Sequence, residues 1–152
     1  RAFLPHLFER PEAVIMNTSS LSAIVPVPGS AVYAASKAAL ALFGYGMAQD
    51  LRGRSNVTVT TVLPGTVWTE LVRRSARSLG VSEKLAEGFA AKPEGVARRM
   101  VDATMKGKQR VVVGKDGHFY NVVRRLSFRI ADALSYLQVG KVFYAKDTSL
   151  PR

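Results

Sequence analysis

The sequence predicts an α/β protein built on a doubly wound parallel sheet. Apolar or β-branched segments alternate with helix-length patterns in the order strand, helix, strand, helices, strand, helix. Right-handed βαβ units produce this order. The predicted strands are continuous apolar runs rather than alternating ones, as befits a sheet covered on both faces. The length of 152 residues, 47% of them hydrophobic, suits one globular core and one domain.

Ala13 to Met16, after Pro11-Glu12, is a short apolar run that reads as a buried strand. Ser19 to Gly29 is polar and proline-bearing, hence a loop. Ser30 to about Arg52 is an alanine-rich helical pattern that stops at Arg52-Gly53, as a helix C-terminus should. Val57 to Leu63 is strongly β-branched and predicts a second strand, ended by Pro64-Gly65. Thr69 to Leu79 and Ser82 to Ala91 predict two short helices on either side of Gly80, with Arg73, Arg74, Arg77 and Lys84 facing solvent or an anionic ligand. Pro93 opens a helix that continues through Lys106, since proline supplies a suitable φ at an early helix position. Arg110 to Val113 is the third strand, closed by Gly114. Phe119, Val122, Val123, Leu126, Ile130, Leu134 and Leu137 recur at three-to-four spacing and predict one final amphipathic helix. From Gly140 the tail has no clear period, and the chain holds no internal repeat or low-complexity segment.

Composition removes several function classes. The absence of cysteine rules out disulfides and thiolate metal sites. His6 and His118 lie far apart without ligand spacing, so no metal site is expected. No run of eighteen apolar residues predicts a membrane-spanning helix, and no secretory pattern is present. With the lack of cysteine, this makes a cytoplasmic location the expectation. The net charge of +11 is asymmetric: residues 1–91 hold 9 Lys and Arg against 6 Asp and Glu, while residues 92–152 hold 13 against 5. Such a balance permits nucleic acid, anionic lipid or phosphate-bearing ligands. No zinc finger, aromatic-basic platform or helix-turn-helix signature accompanies it, so it reads as a solvated face and no nucleic-acid partner is expected.

The residues that carry chemistry are Tyr33, Lys37 and Ser20. On a helix, Tyr33 and Lys37 are four residues apart and share a face. An ammonium beside a phenol favours the phenolate, which lets the phenol give and take a proton near neutral pH. A serine hydroxyl nearby can hold the oxygen that receives the proton. Taken singly, a tyrosine near a helix start such as Tyr33 reads as an amphipathic core residue. Lys37 is harder to explain by packing, because its surroundings are alanine-rich. Neither Ser19 nor Ser20 looks like a hydrolase nucleophile, since there is no Gly-x-Ser-x-Gly elbow and no histidine partner.

This arrangement resembles the short-chain dehydrogenase/reductase family. The resemblance rests on Val14-Ile15-Met16-Asn17-Thr18-Ser19-Ser20, on Tyr33-Ala34-Ala35-Ser36-Lys37 thirteen residues beyond Ser20, and on Pro64-Gly65-Thr66-Val67-Trp68-Thr69 after the second strand. It implies the C-terminal part of a Rossmann-like sheet, with the three strands as the fifth, sixth and seventh of seven. The implied activity is an NAD(P)-dependent oxidoreductase interconverting an alcohol and a carbonyl on a small molecule. Tyr33 would serve as acid/base, Lys37 would hold the nicotinamide ribose hydroxyls, and Ser20 would hydrogen-bond the substrate oxygen. The implied cofactor, NAD or NADP, would meet Tyr33, Lys37, Pro64, Gly65, the backbone at Val67 and the Thr69 hydroxyl. Thr69 also reads as a plain helix N-cap. Ser19 and Asn17 are expected to fix the loop, and Trp68 departs from the small or aliphatic residues expected at its position.

Nothing here matches the family's glycine-rich nucleotide loop: Gly44-Tyr45-Gly46 falls within a helix pattern and has Gln49 where a further glycine is needed. Residues 1–152 are therefore expected to be a single partial domain, the catalytic half, with Arg1 to Pro5 as the tail of a preceding helix and 118–152 as a C-terminal amphipathic helix and tail. Such a fragment alone is expected to be inactive, and a non-catalytic remnant or binding module is the alternative. The helix holding Ala31, Ala34, Ala35, Ala38, Ala39, Ala41, Gly44, Gly46 and Ala48 is unusually small-sided. Interior glycine costs a helix about 1 kcal/mol, so a close neighbour is expected. The resemblance implies a subunit interface in a homo-oligomer, and tight packing on its own sheet is the other reading. The last helix, with Arg124, Arg125 and Arg129 beside its apolar stripe, is expected to pack on the protein rather than lie on an anionic membrane surface.

Overall fold

The computed structural model describes residues 2–53 and 56–140. Helix α1 (Leu4–Phe8) leads into strand β1 (Ala13–Thr18), a 3-10 turn (Leu21–Ala23) and the long helix α2 (Ala31–Asp50). Strand β2 (Val57–Pro64) follows, then α3 (Glu70–Leu79), α4 (Glu83–Phe89), α5 (Pro93–Met105) and strand β3 (Arg110–Val113). Helices α6 (Lys115–Leu126) and α7 (Phe128–Ser135) and a π turn (Tyr136–Gly140) complete the described chain.

The three strands form one parallel sheet in the order β1-β2-β3. The register runs from Ala13 opposite Val57 to Thr18 opposite Val62, and from Thr61 opposite Arg110 to Pro64 opposite Val113. β2 is central, and Val59, Thr60, Thr61, Val62 and Leu63 are nearly or wholly buried. Adjacent residues of a strand face opposite sides, and each side has its own cover. Val62 packs with Val96 of α5 and with Val113, beside Met100 and Val111. Thr61, on the other face, meets α2 at Gly44, where a Cβ would run into the Thr61 hydroxyl and the Asn17 amide. This close approach explains why that helix presents Ala34, Ala41, Gly44 and Ala48 inward. Its opposite face leaves Val32, Leu42 and Phe43 exposed. Packing on its own sheet therefore accounts for Gly44, while a Cβ at Gly46 would meet no neighbouring element within 4 Å among the described residues.

The C-terminal apolar repeat is divided rather than continuous. Ser127 is extended, with φ −158° and ψ 123°, and its hydroxyl accepts from the Ile130 N–H to start α7 afresh. Serine at an N-cap offers the backbone this alternative to continued helix. The break lets Tyr120 and Ala131 close over Val25, with Leu21, Ile24, Val123 and Leu134 around them. The Ser135 hydroxyl donates to the Pro26 carbonyl, 2.8 Å away. The loop after β1 is thus covered by the end of the chain. The tail beyond Gly140 lies outside the described residues.

Candidate active site

The C-terminal ends of β1 and β2 point the same way because the strands are parallel, and open α/β sheets offer ligands a crevice at such ends. At the β1 end the chain turns from Thr18 through Ser19 and Ser20 into the 3-10 turn. Ser19 is 4% exposed, and its hydroxyl donates to the Lys37 carbonyl at 2.7 Å. The Lys37 ammonium in turn donates to the Thr18 carbonyl at 3.2 Å. Lys37 is therefore fastened to the strand end at both its backbone and its side chain. Ser19 fixes the loop, as its position suggested. The Asn17 amide nitrogen is buried beneath Gly44 without a hydrogen-bond partner among the described residues.

Tyr33 lies in the first turn of α2, and the Lys37 ammonium sits 5.7 Å from the centre of its ring. The i, i+4 spacing thus brings the phenol and the cation together. Tyr33 is 42% exposed, and its hydroxyl makes no hydrogen bond among the described residues. Ser20 caps the 3-10 turn in an extended conformation, with its Oγ accepting from the Ser22 N–H at 3.1 Å. That bond uses only acceptor capacity, so the Ser20 hydroxyl proton is left to donate elsewhere. An ammonium likewise carries three N–H donors, of which Lys37 directs one to Thr18.

At the β2 end, Pro64 closes the strand and Gly65 donates its N–H to the Val113 carbonyl at 2.7 Å. Val67 forms an isolated parallel bridge with Ala91, made by the Ala91 N–H on the Thr66 carbonyl and the Trp68 N–H on the Ala91 carbonyl, both 2.9 Å. In this pattern the bridged residue's own peptide groups face away from its partner, so those of Val67 point to the other side. Thr69 occupies the N-cap position of α3, but its side chain makes no capping bond. The plain-cap reading therefore does not account for its hydroxyl. Arg73 lies 5.5 Å from the Trp68 ring centre and 3.8 Å from Glu70. Arg74 also pairs with Glu70, and Arg77 with Glu83, so three of the four cations predicted to face solvent or an anion have carboxylates.

Asp116 received no role from sequence, although an acidic residue in a first helical turn after glycine was the visible signal. One of its carboxylate oxygens accepts from the Thr66 N–H at 2.6 Å and the other from the Gly117 N–H at 2.8 Å. A Cβ at Gly65 would run into the same carboxylate. The turn that carries Val67 and Thr69 is thus pinned from the start of α6, some fifty residues onward.

Residues 1–79 match the family described as short chain dehydrogenase. The putative oxidoreductase SadH of Mycobacterium tuberculosis is 33% identical over 150 residues, covering 94% of this chain and 54% of that protein. The sulfoacetaldehyde reductase of Chromohalobacter salexigens is 38% identical over 102 residues, covering 65% of this chain and 40% of that protein. Among solved structures, the closed form of serine dehydrogenase complexed with NADP+ superposes with a TM-score of 0.60 at 25% identity, over 74% of this chain and 48% of that one. A short-chain dehydrogenase from Streptomyces avermitilis shares the fold over 97% of this chain and 57% of its own, with a TM-score of 0.59 and 23% identity. The chain spans about half the length of the curated relatives it matches. With the parallel sheet and the matches along it, the chain belongs to the short-chain dehydrogenase family.

Proposed function

We propose that residues 1–152 form the catalytic half of a larger domain that interconverts an alcohol and a carbonyl on a small molecule, using NAD or NADP. The observation that carries this is the Lys37 ammonium, tied to the end of β1 and held beside the Tyr33 ring. In this reading Tyr33 donates its phenolic proton to the carbonyl oxygen during reduction and removes the hydroxyl proton during oxidation. Lys37 places a positive charge beside the ring of this proton-transferring phenol. The Ser20 hydroxyl would donate to the same substrate oxygen and stabilise the charge developing there.

The dinucleotide, when bound, supplies or accepts the hydride. The residues present fit it through polar groups for which no bond is seen among the described residues: the further N–H donors of Lys37, the Val67 peptide and the Thr69 hydroxyl. Pro64 and Gly65 shape the turn beneath them. The serine dehydrogenase neighbour is described with NADP+, which supports a nicotinamide cofactor here.

Tyr33→Phe in the complete protein is expected to cut turnover by at least about 10²-fold with little change in thermal midpoint. Full retained activity would refute the proposal. The sequence holds no glycine-rich cradle for the pyrophosphate. Residues 1–152 alone are therefore expected to bind nicotinamide dinucleotide weakly or not at all, and stoichiometric binding in calorimetry would contradict that. We also propose that the complete protein is a homo-oligomer through the outer face of α2, where Val32, Leu42 and Phe43 are exposed. Phe43→Glu is expected to lower the oligomeric state in size-exclusion chromatography.

A further inference from the structure

We propose that Asp116 is a positioning residue for the cofactor, acting through the turn from Pro64 to Thr69. The inference rests on the function proposed above. The groups assigned to the dinucleotide at this turn are the Val67 peptide and the Thr69 hydroxyl, and their placement depends on how the backbone of Gly65 and Thr66 is fixed. Among the described residues, no side chain of the turn itself bonds to that backbone. Thr66 is held from two sides: its carbonyl accepts from the Ala91 N–H, and its N–H donates to the Asp116 carboxylate.

The second anchor is built with unusual closeness. The Asp116 carboxylate fills the space where Gly65 would carry a Cβ, and a Cβ at Gly114 would reach it as well. Gly114 has a φ of 105°, a conformation that L side chains rarely adopt. The Gly117 N–H holds the second carboxylate oxygen, so the side chain cannot swing away without giving up a bond. Glycines at 65 and 114 therefore serve one purpose: they let a carboxylate at the start of α6 reach the backbone at the end of β2. A hydrogen bond to a charged acceptor is stronger than a neutral one, which suits a turn that must keep its shape when a ligand comes and goes. Asp116 touches neither substrate nor reacting atoms in this reading, and its effect on the cofactor passes through the Thr66 N–H.

The test uses the complete protein with Asp116→Ala, Asp116→Asn, Gly65→Ala and the Gly65→Ala/Asp116→Ala pair. The readouts are dinucleotide affinity by fluorescence titration, KM and kcat, thermal midpoint, and hydrogen exchange at the Thr66 amide. Asp116→Ala is expected to weaken dinucleotide binding and raise its KM by about tenfold or more, with kcat changed far less and Thr66 exchange accelerated. Asn offers a single acceptor oxygen, so Asp116→Asn should fall between wild type and Ala. Gly65→Ala should impair binding on its own and do much less harm when Asp116 is also Ala, because the clash is then gone.

A folded Asp116→Ala protein with unchanged dinucleotide affinity overturns the proposal. So does a loss of affinity with Thr66 exchange unaltered, or strictly additive effects of the Gly65 and Asp116 substitutions. Should Asp116→Ala fail to fold, Asp116→Asn and Gly65→Ala decide by the same criteria. A wild-type protein that binds no dinucleotide defeats the function proposed above. Thr66 exchange then still reports whether Asp116 holds the turn.

Discussion

The ends of β1 and β2 lie side by side in one sheet and are held in different ways. At the β1 end the polar groups come from a short stretch of chain: the Thr18 carbonyl and the Ser19 and Ser20 hydroxyls at the strand end, Tyr33 and Lys37 on the next helix. At the β2 end the candidate contacts are a backbone segment and a threonine, and the group that fixes them is Asp116, on a helix after the following strand. The first end is a motif of side chains. The second is a shaped backbone whose support comes from far along the sequence. Substitutions at the first end should therefore act on proton transfer, and those at the second on cofactor affinity.

The largest expected effect is at Lys37, which belongs to both the chemistry and the strand end. Lys37→Met should lower kcat by about 10²- to 10⁴-fold. If the comparison holds, the dinucleotide KM will also rise, because the same ammonium is assigned to the ribose. Steady-state kinetics that show only a KM effect would move Lys37 from the acid/base pair to a binding role. Next comes Thr69→Ala, expected to raise the dinucleotide KM several-fold, as for loss of one hydrogen bond worth about 1 kcal/mol, while leaving kcat and the thermal midpoint nearly unchanged. A falling midpoint with unchanged KM would mean that Thr69 matters to α3 rather than to a ligand.

These two ends also differ in how legible they were. The closeness of Tyr33 and Lys37 was readable because helix periodicity converts a sequence interval directly into a shared face, whereas Ser20 lies outside that helix and was suggested by the family spacing alone. The three strands were readable for a similar reason: buried parallel strands are runs of β-branched and apolar residues, and β3 matches the predicted Arg110 to Val113 at both ends. The sheet and family followed. What escaped was everything decided by contact between distant segments. Asp116 looked like an ordinary charge, because nothing in Lys115-Asp116-Gly117 shows that Thr66 lies beside it. Gly44 looked like one small residue among many until the Thr61 hydroxyl was seen beneath it. Ser127 carried a local cap signal, but the apolar period across it was stronger, and the break is set by Tyr120 and Ala131 closing over Val25.

Ser19→Ala sharpens the comparison at the β1 end. Its hydroxyl ties Lys37's backbone, not its ammonium, so removal should cost stability by about 1 kcal/mol. Turnover should fall modestly and the pH dependence of kcat should keep its shape. Urea denaturation measures the first and a pH–rate profile the second. A changed profile would mean that Ser19, rather than Ser20, stands in the proton path.

The smallest effect separates Asp116's hold on the turn from its charge. Tyr120 is 6% exposed, and its hydroxyl donates to the side-chain Oε1 of Gln138 at 2.6 Å. Burial raises its pKa above the usual 10.0, and the negative charge of Asp116 adds to the shift. A phenol whose pKa is raised by folding contributes stability that is fully present below its unfolded value and is lost as pH rises through the folded one. The protein should therefore lose stability above about pH 10, partly through Tyr120. Tyr120→Phe should cost about 1 kcal/mol at neutral pH, from the lost hydrogen bond, and flatten the alkaline limb relative to wild type. Asp116→Asn removes the charge but keeps one acceptor for Thr66, so it should lower the Tyr120 pKa while only partly loosening the turn. Urea midpoints of the three proteins across the alkaline range test this. An alkaline limb identical in wild type and Tyr120→Phe would show that another group sets it.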